Sequence, residues 1–409
     1  MKKIYLICKV FNENSGSYAG FFEEFAKYAS KKGYKVIILC GRTSKKVPSF
    51  EKKHYAEIYR FDCFAPKIPF IGQNLSYIIL GWHVSRYFKK NPALAGDIII
   101  ANALGALGVL KQRYVLRINQ PAQVFLRNMK IAKNYSSLVS RFARKIHYAI
   151  IQARLEALCV KNAAAFLFPS RKTQKLIFAN YGKILAPFFV PCSGVKFNEL
   201  QQNKKLPIKG IKLLFVSAGN KERIRKGVIY LEQILPELFA KFKELKLIHV
   251  GDKFEWNVPE WCKERIISVG RVPWSRMKDY YKTADIFVSC SLHEGFPNAL
   301  LEAMAAGTPI VTSDIEGIEE YIRHGKEGLI FRRGDTSHLK KYISFLIENQ
   351  KLRKKIGKAA KARVKRIDYL NLSKELLNFL EQLFQNKKPT KSVDLLKYAK
   401  NKSFTKFNK

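Results

Sequence analysis

Two glutamates, Glu294 and Glu302, stand eight positions apart in a stretch whose glycines and prolines mark a loop followed by a helix. Along a helix their separation is at most roughly 12 Å, which suits one elongated ligand better than one metal ion. Free backbone N–H groups at a helix start bind anions, and Gly295 lets a ligand approach closely. A nucleotide sugar, with two polyol ends and a central diphosphate, satisfies this pattern. The alternative is a surface loop with two solvated glutamates before an amphipathic helix.

The elements that must position these glutamates are indicated by the short apolar runs around them. Residues 286–288 and 309–311 are typical of strands buried on both faces of a parallel sheet. Between them, a proline suits the first helical position and a glycine ends the helix, which predicts a helix over residues 297–306. A second helix is predicted before Phe331. Parallel sheets bind ligands beyond the carboxyl ends of their strands, where the loop 293–296 would lie.

The run from Glu294 to Val311, EGFPNALLEAMAAGTPIV, closely resembles the donor-site signature of retaining glycosyltransferases of family 4. A weaker resemblance extends over nearly the whole chain. The resemblance implies an α/β chain with the GT-B fold, in which two Rossmann-like domains face each other across a cleft. It also implies that the chain is a retaining glycosyltransferase.

In the resembled family the two glutamates have separate roles. By that resemblance Glu294 would bond hydroxyls of the donor sugar, and Glu302 would hold the ribose hydroxyls. The backbone between them would meet the diphosphate of the donor. This donor-binding run comprises Gly295, Phe296, Pro297, Asn298, Ala299 and Leu300.

A basic loop supplies the cations that the resemblance places on the donor diphosphate. Lys226 precedes a glycine as in the family, whereas Asn220 stands where members have an arginine. Arg223 or Arg225 would replace that arginine, because a guanidinium binds phosphate in a bidentate way. Solvated loop charges are the alternative for both arginines. Lys226 is therefore assigned a catalytic role, and Arg223 and Arg225 are donor-binding candidates.

Two further candidates lie in the first half of the chain. The glycine-containing loop after the first strand is not G-x-G-x-x-G, and the second strand ends without an acidic residue, which argues against an NAD site. The resemblance makes Gly16 a point of close approach to the donor phosphates, although an ordinary turn glycine fits equally. Where many family members have a histidine near the reacting sugar, Asn119 or Gln120 would supply an uncharged hydrogen bond.

The length of 409 residues and the hydrophobic content of 47% are sufficient for two domains. Residues 3–10, 21–32 and 34–40 predict a strand, a helix and a strand, which open a Rossmann-like half. The predicted organisation is an N-terminal acceptor-binding domain at 1–195, a polar linker at 196–209, a C-terminal nucleotide-sugar-binding domain at 210–370, a helix at 371–385 that crosses back to the first domain, and a basic, disordered tail at 386–409.

The charge of the chain is extreme, since 75 Lys and Arg against 32 Asp and Glu give a net charge of +43. Such an excess implies an anionic partner, which can be a membrane surface, a nucleic acid or a phosphorylated substrate. Residues 127–161 are basic, with an apolar residue every four positions at Leu138, Phe142, Ile146 and Ile150. This segment predicts either a surface that lies on anionic lipid headgroups or a helix packed on the domain core.

Several classes of protein are disfavoured by what the sequence lacks. Seven cysteines without a C-x-x-C pair argue against a disulfide framework or a zinc site and favour a reducing cytoplasm. The longest apolar candidate for a membrane span, residues 98–110, is shorter than the ~20 residues required. The apolar start of the chain is broken by Lys9, which predicts a first strand instead of a signal peptide. No Asp-x-Asp triplet occurs, so no metal site is expected.

These patterns, together with the resemblance to family 4, imply a metal-independent glycosyltransferase of the hexosyltransferase type, with no cofactor. Its donor is a UDP- or GDP-sugar, and its acceptor is a hydroxyl of a saccharide or lipid-linked molecule. The predicted setting is cell-envelope polysaccharide or lipopolysaccharide synthesis, in the cytoplasm at the inner face of the membrane. One alternative is a nucleotide-sugar epimerase or phosphorylase of the same fold. Another is a basic nucleic-acid- or membrane-binding protein, although nucleic acid is disfavoured because the aromatic residues lie mostly within apolar runs.

Overall fold

The chain forms two compact α/β units, the first made of residues 1–194 and 369–396 and the second of residues 195–368. The segment 196–209, predicted as a linker, is part of the second unit. The computed structural model describes residues 1–11, 17–42, 44–65, 71–119, 151–182, 185–202, 204–217, 223–294, 297–385 and 391–396.

The described residues form fifteen strands. In chain order they are β1 (Lys3–Val10), β2 (Lys35–Gly41), β3 (Phe50–Lys53), β4 (Ala56–Phe61), β5 (Ile98–Asn102), β6 (Val115–Arg117), β7 (Ala165–Leu167), β8 (Phe188–Val190), β9 (Ile211–Ser217), β10 (Leu245–Gly251), β11 (Ile266–Gly270), β12 (Ile286–Ser289), β13 (Ile310–Ser313), β14 (Leu329–Phe331) and β15 (Val393–Asp394).

The helices of the same residues alternate with the strands. They are α1 (Ser17–Lys31), α2 (Ile71–Lys90), α3 (Ala153–Lys161), α4 (Arg171–Tyr181), α5 (Arg223–Lys226), α6 (Val228–Lys241), α7 (Glu260–Lys263), α8 (Trp274–Thr283), α9 (Asn298–Ala306), α10 (Thr336–Glu348), α11 (Gln350–Val364) and α12 (Tyr369–Gln385). Short 3₁₀ helices occupy Ala103–Val109, Glu199–Gln201, Ile318–Glu320 and Lys365–Ile367.

The sheet of the first unit contains nine strands within the described residues, in the order β15-β8-β7-β6-β5-β1-β2-β4-β3. Apart from the antiparallel pair β3 and β4, neighbouring strands run parallel. Strand β1, an interior strand of this sheet, has the predicted bounds, and its residues Ile4 to Cys8 are fully buried. Helix α1 begins at Ser17, four residues before the predicted start, because Ala19 in this added turn already packs into the core.

The sheet of the second unit contains six described strands in the order β11-β10-β9-β12-β13-β14, and all neighbouring pairs are parallel. Strand β9 lies between β10 and β12, so the loops that follow β9 and β12 leave the same edge of the sheet. The prediction of a second helix before Phe331 is wrong. The chain there forms only the 3₁₀ turn Ile318–Glu320, and the glycine turn between the buried residues Ile322 and Leu329 returns it to β14.

Residues 369–396 return to the first unit. Helix α12 buries an apolar stripe against the first core, and Tyr34 donates a hydrogen bond to Glu381 Oε1 at 2.7 Å. The predicted absence of structure over 386–409 is incorrect at Val393–Asp394, which pair with β8. Leu396 is 4% exposed and supplies the physical reason, because burying it anchors this segment to the core.

Candidate active site

The loop after β12 is fixed from three directions. Leu292 N donates to the carbonyl oxygen of Arg225 at 2.8 Å, which ties the loop to α5. Arg333 Nη1 donates to the carbonyl oxygen of Leu292 at 2.9 Å, and Ser313 Oγ donates to that of Ser291 at 2.5 Å. Because each bond comes from a different element of the second unit, the backbone that carries Glu294 has little freedom.

A glycine sets the close approach of α6 to this loop. Gly227 precedes α6 with a φ of 67°, in the left-handed region that favours glycine. A Cβ atom at this position would lie 2.1 Å from the carbonyl oxygen of Cys290. Gly227 therefore permits the contact that brings Lys226 next to the β12 loop.

The carboxylate of Glu294 lies between two cations. Its Oε1 accepts from Lys226 Nζ and from Ser291 Oγ, each at 2.8 Å, and its Oε2 accepts from Arg225 Nη1 at 2.8 Å. Burial alone would raise the pKa of Glu294, but Lys226 and Arg225 outweigh it and lower that pKa to about 2. The side chain thus stays ionised at neutral pH.

This cluster has a net positive charge, since Lys226 and Arg225 face one carboxylate. Arg225 also donates from Nη1 to the carbonyl oxygen of His293 at 3.2 Å, which holds its guanidinium at the loop. The side chain of Glu294 is 12% exposed, so solvent screens the cluster only weakly. Such a site can accept hydrogen bonds from sugar hydroxyls and stabilise negative charge on a phosphate.

Arg223 is held away from this cluster. Its Nη2 donates to Glu232 Oε1 at 2.6 Å, and its Nη1 donates to the carbonyl oxygen of Glu255 at 2.7 Å. The guanidinium carbon lies 4.8 Å from the ring centre of Phe254. Of the two candidate arginines, the structure brings Arg225 to Glu294 and engages Arg223 in contacts that join α5 to α6 and to the loop after β10.

The second glutamate, Glu302, lies in α9 and accepts hydrogen bonds from two aromatic side chains. Tyr281 OH donates to Oε2 at 2.7 Å, and Trp274 Nε1 donates to Oε1 at 3.4 Å. Burial raises the pKa of Glu302 above its usual value. Both aromatic residues lie in α8 and were not among the predicted site residues, because nothing in their spacing relates them to Glu302. The side chain of Lys196 lies 5.0 Å from the Trp274 ring centre.

The start of α9 supplies backbone donors. Pro297 is the residue before the helix and not its first residue as predicted, because its ψ of 62° is not helical. It has no side-chain acceptor, so it cannot cap the N–H groups of Asn298 and Ala299. The Oδ1 atom of Asn298 is buried without a hydrogen-bond partner in the described part of the chain. Leu300 is 2% exposed, so its side chain belongs to the core.

The remaining candidates belong to the first unit or fall outside the described residues. Asn119 follows β6, and its Oδ1 accepts a weak hydrogen bond from Cys192 Sγ at 3.4 Å. The neighbouring Arg117 is fully buried and donates to Asn102 Oδ1 at 2.8 Å. Gly16, Gly295 and Phe296 lie outside the described residues, as does most of the basic segment 127–161.

The described ranges contain neither a cluster of metal-binding side chains nor a membrane-spanning helix. No group of three His, Cys, Asp or Glu side chains in these ranges has an arrangement that could hold a metal ion. No helix in the described part of the chain combines the length and apolar character needed to cross a bilayer.

Known proteins resemble this chain in sequence and in fold. Residues 197–363 match the family described as Glycosyl transferases group 1. A phosphatidyl-myo-inositol mannosyltransferase of Mycobacterium leprae is 28% identical over 196 residues, which are 46% of this chain and 52% of that protein. The chain thus spans about half the length of that relative.

Two solved structures share the fold over nearly the whole chain. Sucrose-phosphate synthase from Thermosynechococcus elongatus superposes with a TM-score of 0.74 at 17% identity, covering 94% of this chain and 99% of the other. Anabaena HepE in complex with UDP-glucose has a TM-score of 0.61 at 16% identity, covering 93% and 100%. The chain therefore has the two-domain GT-B fold, and its residues 197–363 match the Glycosyl transferases group 1 model.

Proposed function

We propose that this chain is a retaining glycosyltransferase that moves a hexosyl group from a UDP- or GDP-sugar to a hydroxyl of a saccharide or lipid-linked acceptor. The observation that carries the proposal is the Glu294 carboxylate, held between Lys226 and Arg225 next to the start of α9. The carboxylate can accept hydrogen bonds from sugar hydroxyls, and the cations can bind a diphosphate. The sugar and the diphosphate are the two groups that the scissile bond of a nucleotide sugar joins.

Each candidate site residue of the second unit has its own role in this proposal. The donor diphosphate lies on Lys226, Arg225 and the backbone N–H groups that begin α9. The ionised Glu294 accepts hydrogen bonds from the donor sugar, and Glu302 accepts them from the ribose. For Asn119, in the first unit, we keep the role that the sequence predicts, which is an uncharged hydrogen bond to a sugar.

The reaction requires stabilisation of the leaving group more than proton transfer. The bond between the anomeric carbon and the diphosphate oxygen breaks, and its electron pair goes to that oxygen. The acceptor oxygen bonds to the same face of the anomeric carbon, and its hydroxyl proton passes to the departing diphosphate. Negative charge grows on the departing diphosphate, and we assign its stabilisation to Lys226 and Arg225, whose positions are fixed by their bonds to Glu294. Preorganised charges of this kind stabilise a transition state without reorganising during the reaction. We propose that these two cations do this without a metal ion.

The names of the similar proteins support particular substrates. The mycobacterial relative is named for transfer of mannose to phosphatidyl-myo-inositol, and HepE was crystallised with UDP-glucose. We therefore favour a UDP- or GDP-hexose as donor and a lipid-linked acceptor in cell-envelope polysaccharide or lipopolysaccharide synthesis. In that setting the enzyme acts in the cytoplasm, at the inner face of the membrane.

Calorimetry with a panel of UDP-, GDP-, ADP- and TDP-sugars tests the donor site. One of them is expected to bind wild type saturably and to lose affinity in Glu302→Ala. Analysis of the products then separates transfer with retention from epimerisation or phosphorolysis. Absence of binding by every donor, or an unchanged affinity in the variant, would contradict the proposal.

A further inference from the structure

Helix α2 has one face that is fixed in the core of the first unit. Leu80 and Val84 are 1% and 0% exposed. A Cβ atom on Gly81 would lie 3.0 Å from Leu107 Cβ, and one on Gly108 would lie 2.6 Å from Val84 Cβ. The helix and the 3₁₀ segment Ala103–Val109 therefore touch through their glycines. This close packing fixes the rotation of α2 about its axis, and thus which side chains face solvent.

The opposite face exposes large apolar side chains. Ile78 is 47% exposed, and Trp82, one turn later, is 54% exposed. One exposed large apolar side chain is ordinary. Two such side chains in successive turns form an apolar patch on the side of the helix that faces away from the core. We call the surface formed by Ile78, Trp82, Arg86, Lys89 and Lys90 the outer face of α2.

Basic residues continue the outer face toward the end of the helix. Arg86, Lys89 and Lys90 are exposed, and α2 contains no acidic residue. The guanidinium carbon of Arg86 lies 4.6 Å from the ring centre of Trp82. The outer face therefore presents an aliphatic residue, an indole and three cations along one side of the helix.

We propose that the outer face of α2 is a docking surface for an anionic lipid bilayer. Tryptophan and long cationic side chains are the residues that lie best at a membrane interface, and each basic residue near an anionic surface strengthens binding. The net charge of +43 adds long-range attraction to the same partner. Ile78 argues against nucleic acid as the partner. Proteins that bind single-stranded nucleic acid stack the bases on aromatic rings, and an aliphatic side chain offers no such ring.

The outer face of α2 contains no residue of the basic segment 127–161. It is also separate from the proposed transferase chemistry, because lipid binding can be measured without donor or acceptor. Failure of vesicle binding would leave the sugar-transfer proposal intact, and absence of donor binding would leave this one intact.

Co-sedimentation of the full chain with vesicles tests the proposal. Wild type is expected to bind phosphatidylcholine vesicles that contain phosphatidylglycerol more tightly than pure phosphatidylcholine. The double variant Ile78→Ser/Trp82→Ser should lose at least about tenfold in affinity, and Arg86→Gln and Lys90→Gln should each lose about fivefold. Trp261→Ser is the matched control, since Trp261 is 46% exposed in the second unit. Unchanged melting temperatures establish that the variants fold.

Fluorescence quenching by brominated phosphatidylcholine shows which tryptophan touches the bilayer. Quenching is expected to disappear in Trp82→Phe, which retains vesicle binding, and to persist in Trp261→Phe. The proposal is overturned if wild type ignores anionic vesicles, if Ile78→Ser/Trp82→Ser sediments like wild type, or if quenching survives in Trp82→Phe. It is likewise overturned if the double variant changes only the oligomeric state, because the occupant is then a second copy of the chain.

Discussion

Lys226 Nζ lies 2.8 Å from Glu294 Oε1, although 68 residues separate the two along the chain. The sheet accounts for this proximity. Strands β9 and β12 are parallel neighbours, so the chain segments that follow them emerge at one edge. The short helix α5 ends at Lys226, and Gly227 follows it. The contact of Gly227 with Cys290 leaves no space for a side chain, so it brings Lys226 close to the loop after β12. The ion pair thus depends on topology as much as on the charges themselves.

The first prediction concerns Glu294 and stability. Its pKa is about 2 in the folded chain, against an ordinary value of 4.5, because Lys226 and Arg225 offset its burial. A depressed pKa stabilises the fold above the unfolded value, and this contribution is lost as the pH falls from about 4.5 toward 2. Replacement by glutamine should therefore destabilise the protein at pH 7, on the order of 3 kcal/mol from the pKa shift, and much less near pH 2.

Urea unfolding of wild type and Glu294→Gln across this pH range measures the effect. Glu237→Gln is the matched control, because the side chain of Glu237 is 66% exposed. A free-energy difference between wild type and Glu294→Gln that is the same at both ends of the range would contradict the ion-pair explanation.

The second prediction separates the basic residues of α5. Lys226→Met removes a cation that contacts Glu294 and is expected to lower kcat about 100- to 1,000-fold, as loss of a transition-state donor does. Arg223→Met breaks the bonds to Glu232 and Glu255 instead, so it should lower the melting temperature and leave kcat nearly unchanged. Steady-state kinetics with the donor found by calorimetry makes the comparison. Equal losses of kcat in both variants would count against the assignment.

Much of the fold was predictable because its signals are local. Strand β1 has the predicted bounds, and α9 differs from the prediction only at Pro297. Both elements are marked by apolar runs that alternate with glycine and proline stops, and this pattern is visible in contiguous sequence. The segment around the 3₁₀ turn Ile318–Glu320 was predicted as a helix because its buried residues Ile318 and Ile322 are four positions apart, which is also the spacing of a helix face. Strand β15 was missed because its partner, β8, is about 200 residues earlier in the chain.

The candidate site was predictable in part for the same reason. The signature around Glu294 and Glu302 is contiguous, so its residues could be named from the sequence. The choice between Arg223 and Arg225 could not be made, because it depends on which acidic group each guanidinium meets after folding. Tyr281 was not predicted because its contact with Glu302 joins α8 to α9, and the spacing of residues along the chain does not show which side chains of two helices meet.

The third prediction concerns Gly227 and the packing that brings Lys226 to the loop. Alanine at this position combines a φ of 67° with a contact of 2.1 Å to a carbonyl oxygen, so the backbone must move. We expect Gly227→Ala to cost about 3 kcal/mol or more in unfolding free energy and to weaken donor binding.

Gly270→Ala is the control for the backbone angle alone. Gly270 has a φ of 88°, but its nearest neighbour is the flexible end of Lys253 at 3.6 Å. This variant should lose only about 1 kcal/mol. Denaturant titrations measure both values, and equal losses would mean that the contact with Cys290 is unimportant.

The fourth prediction concerns Tyr281, which donates a hydrogen bond to Glu302 Oε2 at 2.7 Å. If Glu302 accepts the ribose hydroxyls, wild type should prefer UDP over 2′-deoxy-UDP by about tenfold or more, because hydrogen bonds to a charged group are strong. Tyr281→Phe frees the carboxylate to rotate and should reduce this preference at least about threefold. Calorimetry with the two nucleotides gives the ratio directly, or with the corresponding GDP pair if the donor panel selects guanine.

Tyr280→Phe provides the matched control, since Tyr280 precedes Tyr281 in the same helix and is also buried. Its preference for the ribonucleotide should equal that of wild type. Burial raises the pKa of Glu302, so acidification protonates its carboxylate and should weaken UDP binding more than 2′-deoxy-UDP binding in wild type. A Tyr281→Phe protein that keeps the full preference would show that Glu302 does not need this tyrosine. A loss in Tyr280→Phe would instead point to a general disturbance of α8.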